Sequence, residues 1–137
     1  MKYDARELDE VQRIADAAQQ RMDIYRTIHK ALRALMSDTL VAVGRMDVHD
    51  DLERAQTTQR VLQLLDFMRS HLKHENAFIH PALEARAPGA SGHIAHDHVH
   101  HEAEIDALAT ATTELLNAPA ASRDAGALVL YHRLSLF

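Results

Sequence analysis

Apolar residues recur every three or four positions along most of this chain, and Gly and Pro separate the stretches in which they do so. This spacing is typical of amphipathic α-helices, and no stretch shows a convincing strand-like alternation of apolar and polar residues. The pattern predicts helices over residues 4–43, 50–86 and 92–117, and a last helix of about 15 residues that begins after residue 122. The predicted fold is therefore all-α, an up-down-up-down four-helix bundle with a short fourth helix.

The ends of these helices carry recognisable signals. Gly44 is predicted to end the first helix. Asp50, followed three residues later by Glu53, resembles a capping box and predicts the start of the second. Ser122 is the predicted N-cap of the fourth. Pro81 lies inside the second helix and removes a backbone donor, so a kink there or a break just before it is expected.

Composition limits the class of protein. A chain of 137 residues with 47% hydrophobic residues is predicted to form one domain, 1–137, in which residues 1–20 extend the first helix. The net charge of -5 argues against a nucleic-acid surface. No apolar run is long enough to cross a membrane, and the first ten residues are too charged for a signal peptide, so a cytoplasmic protein is expected. The absence of Cys excludes disulfides, iron-sulfur clusters and thiolate zinc sites.

The chain has eleven His, which leaves imidazole and carboxylate as the plausible metal ligands. At 100° per residue, Glu75 lies about 40° from His71 on the second helix, and both fall on the face that also carries Phe67 and Phe78. A single core His is most often structural. Because this one has a carboxylate four residues away, and burying both without a metal or a proton is costly, the pair favours metal binding. On the same helix, His74 borders this face, and His80 is predicted to point to solvent.

The third helix also carries a histidine that is predicted to face the core. The same rotation places His98 on the core face with Ile94, and His101 at its border. The remaining residues of the conspicuous histidine run are predicted to face solvent; they are His93, His96 and His100. On the first helix, His29 lies within the apolar stripe. Three helices thus each offer one inward His, and a shared metal site in the bundle core is the hypothesis that explains them together.

At these residues the sequence resembles the hemerythrin-like family, also called HHE cation-binding domains. The matching stretches are Ile28-His29-Lys30-Ala31-Leu32-Arg33, His71-Leu72-Lys73-His74-Glu75-Asn76-Ala77-Phe78-Ile79-His80-Pro81-Ala82-Leu83, and Asp97-His98. The resemblance covers roughly residue 25 to the end of the chain. It implies a hemerythrin-like bundle that holds non-haem iron, with a di-iron centre in its core.

Carried over by motif, the ligands that the resemblance implies are His29, His71, Glu75 and His98. The family pattern includes a further His-x-x-x-Glu on the fourth helix, roughly two turns beyond the position of Phe137, and this chain has no such pair. Four protein ligands then remain for two metals, and affinity for the second is expected to fall sharply.

Three explanations of the missing pair stay open at this stage. The chain is a truncated product with a degraded site, a neighbouring molecule completes the bundle, or nearby groups substitute. The candidate substitutes are His74, His101, Glu102 and His132. Because the short fourth helix leaves one end of the core uncovered, a homodimer through that side is also a hypothesis.

The leading functional hypothesis is an iron protein that binds or senses O2, NO or iron itself, by binding rather than by turnover. The alternative is a metal-free helical bundle that acts as a structural or protein-interaction module. A third hypothesis, an oxidase or peroxidase, requires a substrate channel that sequence does not reveal. Elemental analysis separates the first two.

Overall fold

A computed structural model describes the chain from Ala5 to Phe137, except for the side chains of residues 17–26 and His93. Its helices are α1 (Ala5–Arg45), α2 (Asp51–His74), α3 (His80–Arg86), α4 (Gly92–Asn117) and α5 (Ala120–Leu136), and a π-helical turn (Glu75–Ile79) joins α2 to α3. The described residues include no strand, so the all-α prediction is confirmed. Among the described helices, none is both long enough and apolar enough to cross a lipid bilayer.

The chain divides into two compact units, Met1–Leu35 and Met36–Phe137. The described residues of the first unit all belong to α1. The second contains the last turns of α1 and every later helix. The single domain and the complete up-down-up-down arrangement stay predictions, and the packing described below is that of the second unit.

Helices α2 and α4 pack against each other in antiparallel directions. Near the start of α2, Arg54 Nε donates to the carbonyl of Leu116 near the end of α4, at 3.4 Å. Farther along α2, Arg69 pairs with Asp106 in the middle of α4, at 2.6 Å. Higher residue numbers on α2 therefore lie beside lower residue numbers on α4, so the two helices are antiparallel.

Helix α5 in turn lies antiparallel to α4. A Cβ atom placed on Gly126 would lie 3.3 Å from Leu115, and Arg133, farther along α5, reaches Glu104 at 3.5 Å. The three helices bury a shared apolar core, whose fully or almost fully buried members include Val61, Leu64, Leu65, Ile105, Leu108, Leu115, Leu130 and Leu134. This core supplies most of the stabilisation that holds the helices in register.

The predicted cap of α2 is confirmed. The Asp50 carboxylate accepts hydrogen bonds from the backbone N–H groups of Leu52 and Glu53, which have no partner inside the helix. The Glu53 side chain accepts from the N–H of Asp47 rather than from that of Asp50, at 3.2 Å. The cap therefore also ties down the turn before the helix.

Arg54 is the buried charge next to this cap. Its Nη1 donates to the carbonyl of Val48 at 2.8 Å and pairs with Asp51 at 2.9 Å, while its Nε reaches Leu116. A buried guanidinium is costly unless its donors are satisfied, and here several are. Arg54 thereby joins the loop after α1 to the end of α4.

The predicted start of α5 is wrong by three residues. The helix begins at Ala120, directly after Pro119, whose backbone is extended with φ -63° and ψ 150°. Ser122 lies in the first turn, where its hydroxyl donates to the carbonyl of Pro119 at 3.1 Å. Proline fixes φ at a value that suits the entry to a helix, so Pro119 begins the helix before Ser122 can cap it.

Gly44 does not end α1, which continues to Arg45. A Cβ atom at Gly44 would lie 2.9 Å from Cε2 of Tyr131 on α5. The glycine is required by close packing and not by the left-handed conformation that commonly ends a helix.

Candidate metal centre

A single carboxylate, that of Glu75, lies between two imidazoles. His71 Nε2 is 2.8 Å from Glu75 Oε1, and His98 Nε2 is 2.9 Å from Glu75 Oε2. The side chains of all three are largely buried, with relative exposures of 15%, 16% and 9% for His71, Glu75 and His98. Each carboxylate oxygen therefore faces a different ring nitrogen in a partly water-excluded place.

Two features of the fold create this cluster. His71 and Glu75 are four residues apart, which places them one turn apart on the same helix face, although Glu75 already belongs to the π-helical turn. His98 comes from the first half of α4, and the antiparallel packing of α2 and α4 brings that half to the end of α2. The predicted core position of His98 is confirmed, because the residue is 7% exposed.

The second nitrogen of His98 is also occupied. His98 Nδ1 lies 2.8 Å from Oδ1 of Asn76. An amide oxygen only accepts, so this contact places the proton on Nδ1 of the histidine. The 2.9 Å contact between Nε2 and the Glu75 carboxylate requires a proton between them in the metal-free protein, and a cation bound here would take the place of that proton. Metal-ligating histidines in proteins are commonly oriented by such a hydrogen bond from the other ring nitrogen.

The helix widens directly after Glu75 because of Pro81. Pro81 has no N–H and its ring would clash with the carbonyl four residues back in an α-helix. The chain accommodates it with the π-helical turn, in which the backbone N–H of His80 donates to the carbonyl of Glu75, five residues earlier. The predicted kink or break at Pro81 is therefore a π-helical turn just before the proline.

This turn corrects the prediction that His80 points to solvent. One additional residue in a turn rotates the following positions by about 100° relative to an uninterrupted α-helix. His80 is consequently buried, and its ring stacks on that of His98 with 4.9 Å between centroids. This contact was not predicted from the sequence. Pro81 was the available signal, because a proline inside a helix changes the face on which the neighbouring residues lie.

The same change of phase affects Phe78, predicted to lie on the core face. It lies in the π-helical turn, is 70% exposed and stacks on His74. Phe67 and Ile94 were also predicted to face the core and are exposed. The apolar face near Glu75 is therefore less complete than the sequence pattern indicates.

A cavity of about 290 Å³ adjoins the cluster. Its lining combines His71, Glu75 and His98 with apolar side chains such as Met68 and Leu72. One water occupies about 30 Å³ in the liquid, so the cavity has room for a small molecule beside the carboxylate. Convergent polar groups in an otherwise apolar pocket are the usual form of a ligand site.

The family comparison agrees with this geometry. The model of the hemerythrin HHE cation binding domain matches residues 6–135, almost the whole chain. The chain belongs to the hemerythrin HHE family. No curated protein and no solved structure matches it. HHE domains bind metal cations, typically iron.

The donor set of this HHE domain suits such a cation. Imidazole nitrogen is a ligand for iron and other transition metals, carboxylate oxygen is a further ligand, and the chain has no thiolate to compete with either. Glu75 and the two imidazoles that contact it are the donors that Met36–Phe137 brings together most closely, and the hydrogen bond from His98 to Asn76 completes their support.

The remaining predicted ligand of the HHE domain is His29. It lies on α1 in the unit Met1–Leu35 and is half-buried. Its assignment rests on the sequence resemblance and stays a prediction.

The four predicted substitutes lie at more exposed positions. His74 stacks on Phe78, with 5.9 Å between ring centroids. His101 contacts the edge of Phe137 at 5.7 Å and lines the cavity. Glu102 and His132 are exposed. His101 is thus the substitute that the described structure places beside the Glu75 cluster.

Two other histidines of the α4 run are exposed as predicted, namely His96 and His100. The side chain of His93 lies outside the described residues. The run as a whole therefore contributes His98 to the cluster and His101 to its cavity.

Proposed function

We propose that this HHE domain is a non-haem iron-binding protein that binds or senses O2, NO or iron itself. The observation that carries the proposal is the Glu75 carboxylate, which has an imidazole from one helix on one oxygen and an imidazole from another helix on the other. Iron, when bound there, supplies the affinity for a small diatomic ligand that no side chain of this chain offers.

The arrangement of Glu75 supports a centre with two cation positions. The two oxygens of Glu75 face different imidazoles, so Glu75 would hold iron together with His71 on one side and with His98 on the other. In the proposal, His29 is the third imidazole, as the family pattern implies. The proposal therefore assigns four ligands of this chain to the iron, namely His29, His71, Glu75 and His98.

The residues around the cluster have defined roles in this proposal. Asn76 holds the proton of His98 on Nδ1, so that Nε2 is available as a ligand. Met68 and Leu72 line the adjacent cavity, where they limit water beside the carboxylate and leave room for a diatomic molecule. His101, at the rim of the same cavity, is the substitute ligand that the proposal favours.

The proposal extends to a homodimer. Helix α5 carries exposed apolar residues, among them Leu128 and Val129 in its middle and Leu136 at its end. Exposed apolar side chains on this helix support self-association. A second copy would cover these exposed apolar side chains.

The decisive experiment is an anaerobic Fe(II) titration, followed by elemental analysis and an absorption spectrum after exposure to air. The native chain is expected to retain iron through gel filtration and to develop near-ultraviolet absorption in air. Glu75→Gln removes the bridging charge and is expected to weaken iron binding at least about 10-fold. Glu114→Gln, which changes an exposed carboxylate on α4, is the matched control and should bind as the native chain does.

Two results would contradict the proposal. Retention of no iron by the native chain would favour the alternative, a metal-free bundle in which Glu75 and its two imidazoles form only an internal hydrogen-bonded ion-pair cluster. Equal iron binding by the native chain and by Glu75→Gln would place the metal elsewhere.

A further inference from the structure

His80 is a buried polar residue whose ring nitrogen is not satisfied. The residue is 9% exposed, and its Nε2 has no hydrogen-bond partner among the described residues. Buried polar atoms are nearly always paired, and each exception calls for an explanation. A nitrogen with a lone pair, buried beside a cluster of other ligating groups, is suited to a cation.

The residue that would ordinarily pair with His80 is occupied elsewhere. His80 and Glu84 repeat the His-x-x-x-Glu spacing of His71 and Glu75. The Glu84 carboxylate instead accepts from the backbone N–H groups of Gly89 and Ser91, and from the Ser91 hydroxyl. His80 Nε2 therefore makes no hydrogen bond of the kind that joins His71 to Glu75, and Glu84 interacts with His80 through its charge alone.

His80 also lies directly against the candidate centre. Its ring stacks on His98 with a centroid distance of 4.9 Å and an interplanar angle of 26°. Both nitrogens of His98 are engaged, one with Glu75 and the other with Asn76. His80 therefore packs on the face of the His98 ring, and both nitrogens of that ring have partners. The Nε2 atom of His80 has no hydrogen-bond partner among the described residues.

We propose that His80 Nε2 is a further nitrogen ligand of the cation centre at Glu75. This rests on the proposed function, and it adds a donor that the family pattern does not supply. The π-helical turn rotates His80 into the core, where its ring lies against that of the proposed ligand His98. It would add a neutral imidazole to the ligands that the family pattern assigns to this chain.

The test compares the native chain with His80→Phe, which keeps an aromatic ring for stacking and removes the nitrogens. His96→Phe is the matched control, because His96 is an exposed histidine on α4. In an anaerobic Fe(II) titration against a competing chelator, His80→Phe is expected to bind iron about 10- to 100-fold more weakly, and His96→Phe as tightly as the native chain.

A second measurement separates ligation from packing. Without metal, His80→Phe is expected to unfold at a temperature no lower than the native chain, because it removes a buried nitrogen that has no partner. With saturating Fe(II), the native chain should gain more in unfolding temperature than the variant. A packing role would instead lower the metal-free unfolding temperature and leave iron affinity unchanged.

Equal iron affinity of the native chain and His80→Phe overturns the assignment. If the native chain binds no iron, the proposed function fails first, and that result is visible without any variant. Should His80→Phe not fold, His80→Gln is used, and the imidazole N–H signals of the Co(II)-loaded proteins are counted by NMR. The native chain is expected to show one more shifted imidazole signal than the variant, and an equal count would refute ligation by His80.

Discussion

Asn76 shows how one polar residue can decide what a neighbouring histidine does. Its side-chain oxygen accepts from Nδ1 of His98, which fixes the orientation of that ring and leaves Nε2 toward Glu75. The His71–Glu75 contact was predictable from their spacing of four residues on one helix. The role of Asn76 was not, because it depends on where α4 places His98 against the π-helical turn.

Replacement of Asn76 by Ala is predicted to weaken iron binding. The His98 ring would lose the acceptor that fixes its proton on Nδ1, and an affinity loss of about 10- to 100-fold is typical when such a supporting group is removed. The measurement is the same chelator competition with Fe(II). Asn117→Ala changes the other Asn of the chain, near the end of α4, and should leave the affinity unaltered. An unaltered affinity in Asn76→Ala would show that the hydrogen bond does not orient a ligand.

At the scale of the helices, the segment from Glu75 to Ser91 holds the candidate centre in place. The π-helical turn sets the direction of α3, and Glu84 on α3 fastens the loop that leads into α4. That loop turns at Gly89, which has φ +87° and so occupies a region that L side chains rarely adopt. Hydrogen bonds from the Ser91 hydroxyl and from the N–H groups of Gly89 and Ser91 hold the pKa of Glu84 below its ordinary value.

This lowered pKa predicts an acid-sensitive loop. Since the folded-state pKa is below the unfolded one, the contribution of Glu84 to stability is fully present above the ordinary pKa of Glu and is lost as the pH falls through the lowered value. Glu84→Gln is expected to be less stable than the native chain at neutral pH, with the difference shrinking in acid. Urea unfolding at several pH values checks this, with Glu114→Gln as control. A stability difference that does not change with pH would contradict it.

The sequence predicts where the helices lie better than it predicts which residues of each helix face the core. The cap at Asp50, the disruption before Pro81 and the inward position of His98 follow from local rules, and the structure agrees. His80 and Phe78 could not be placed, because a π-helical turn adds a residue that helical-wheel arithmetic does not count. Ser122 was misjudged for a similar local reason, since Pro119 begins the helix earlier.

At the scale of the whole chain, the family assignment rests on residues 6–135 and the site on a few side chains near one end of α2 and α4. The ligand His29 and the dimer remain predictions, because both depend on long-range placement that helix periodicity does not encode. The exposed apolar residues of α5 give the dimer prediction a defined surface.

Sedimentation velocity over a range of protein concentrations tests that surface. The native chain is expected to shift toward a dimer as concentration rises, and Val129→Glu is expected to remain monomeric, because it places a charge at one of the exposed apolar positions of α5. Leu52→Glu is the matched control, since it introduces the same charge at another exposed Leu, in the first turn of α2, and should dimerise as the native chain does. A native chain that is monomeric at every concentration would exclude the homodimer.

The contacts of Arg54 would affect how the proposed iron protein responds to iron depletion. It lies 21 residues before Glu75, about 32 Å along the helical path, and its contacts with Val48, Asp51 and Leu116 involve no proposed ligand. If the proposed centre holds a cation, the contacts of Arg54 would therefore stay intact when the opposite end of the helices loses it. Amide hydrogen exchange of the metal-free protein would then be fast around Glu75 and slow around Arg54. In that case the protein could bind iron again without first refolding the end of the helices at Arg54.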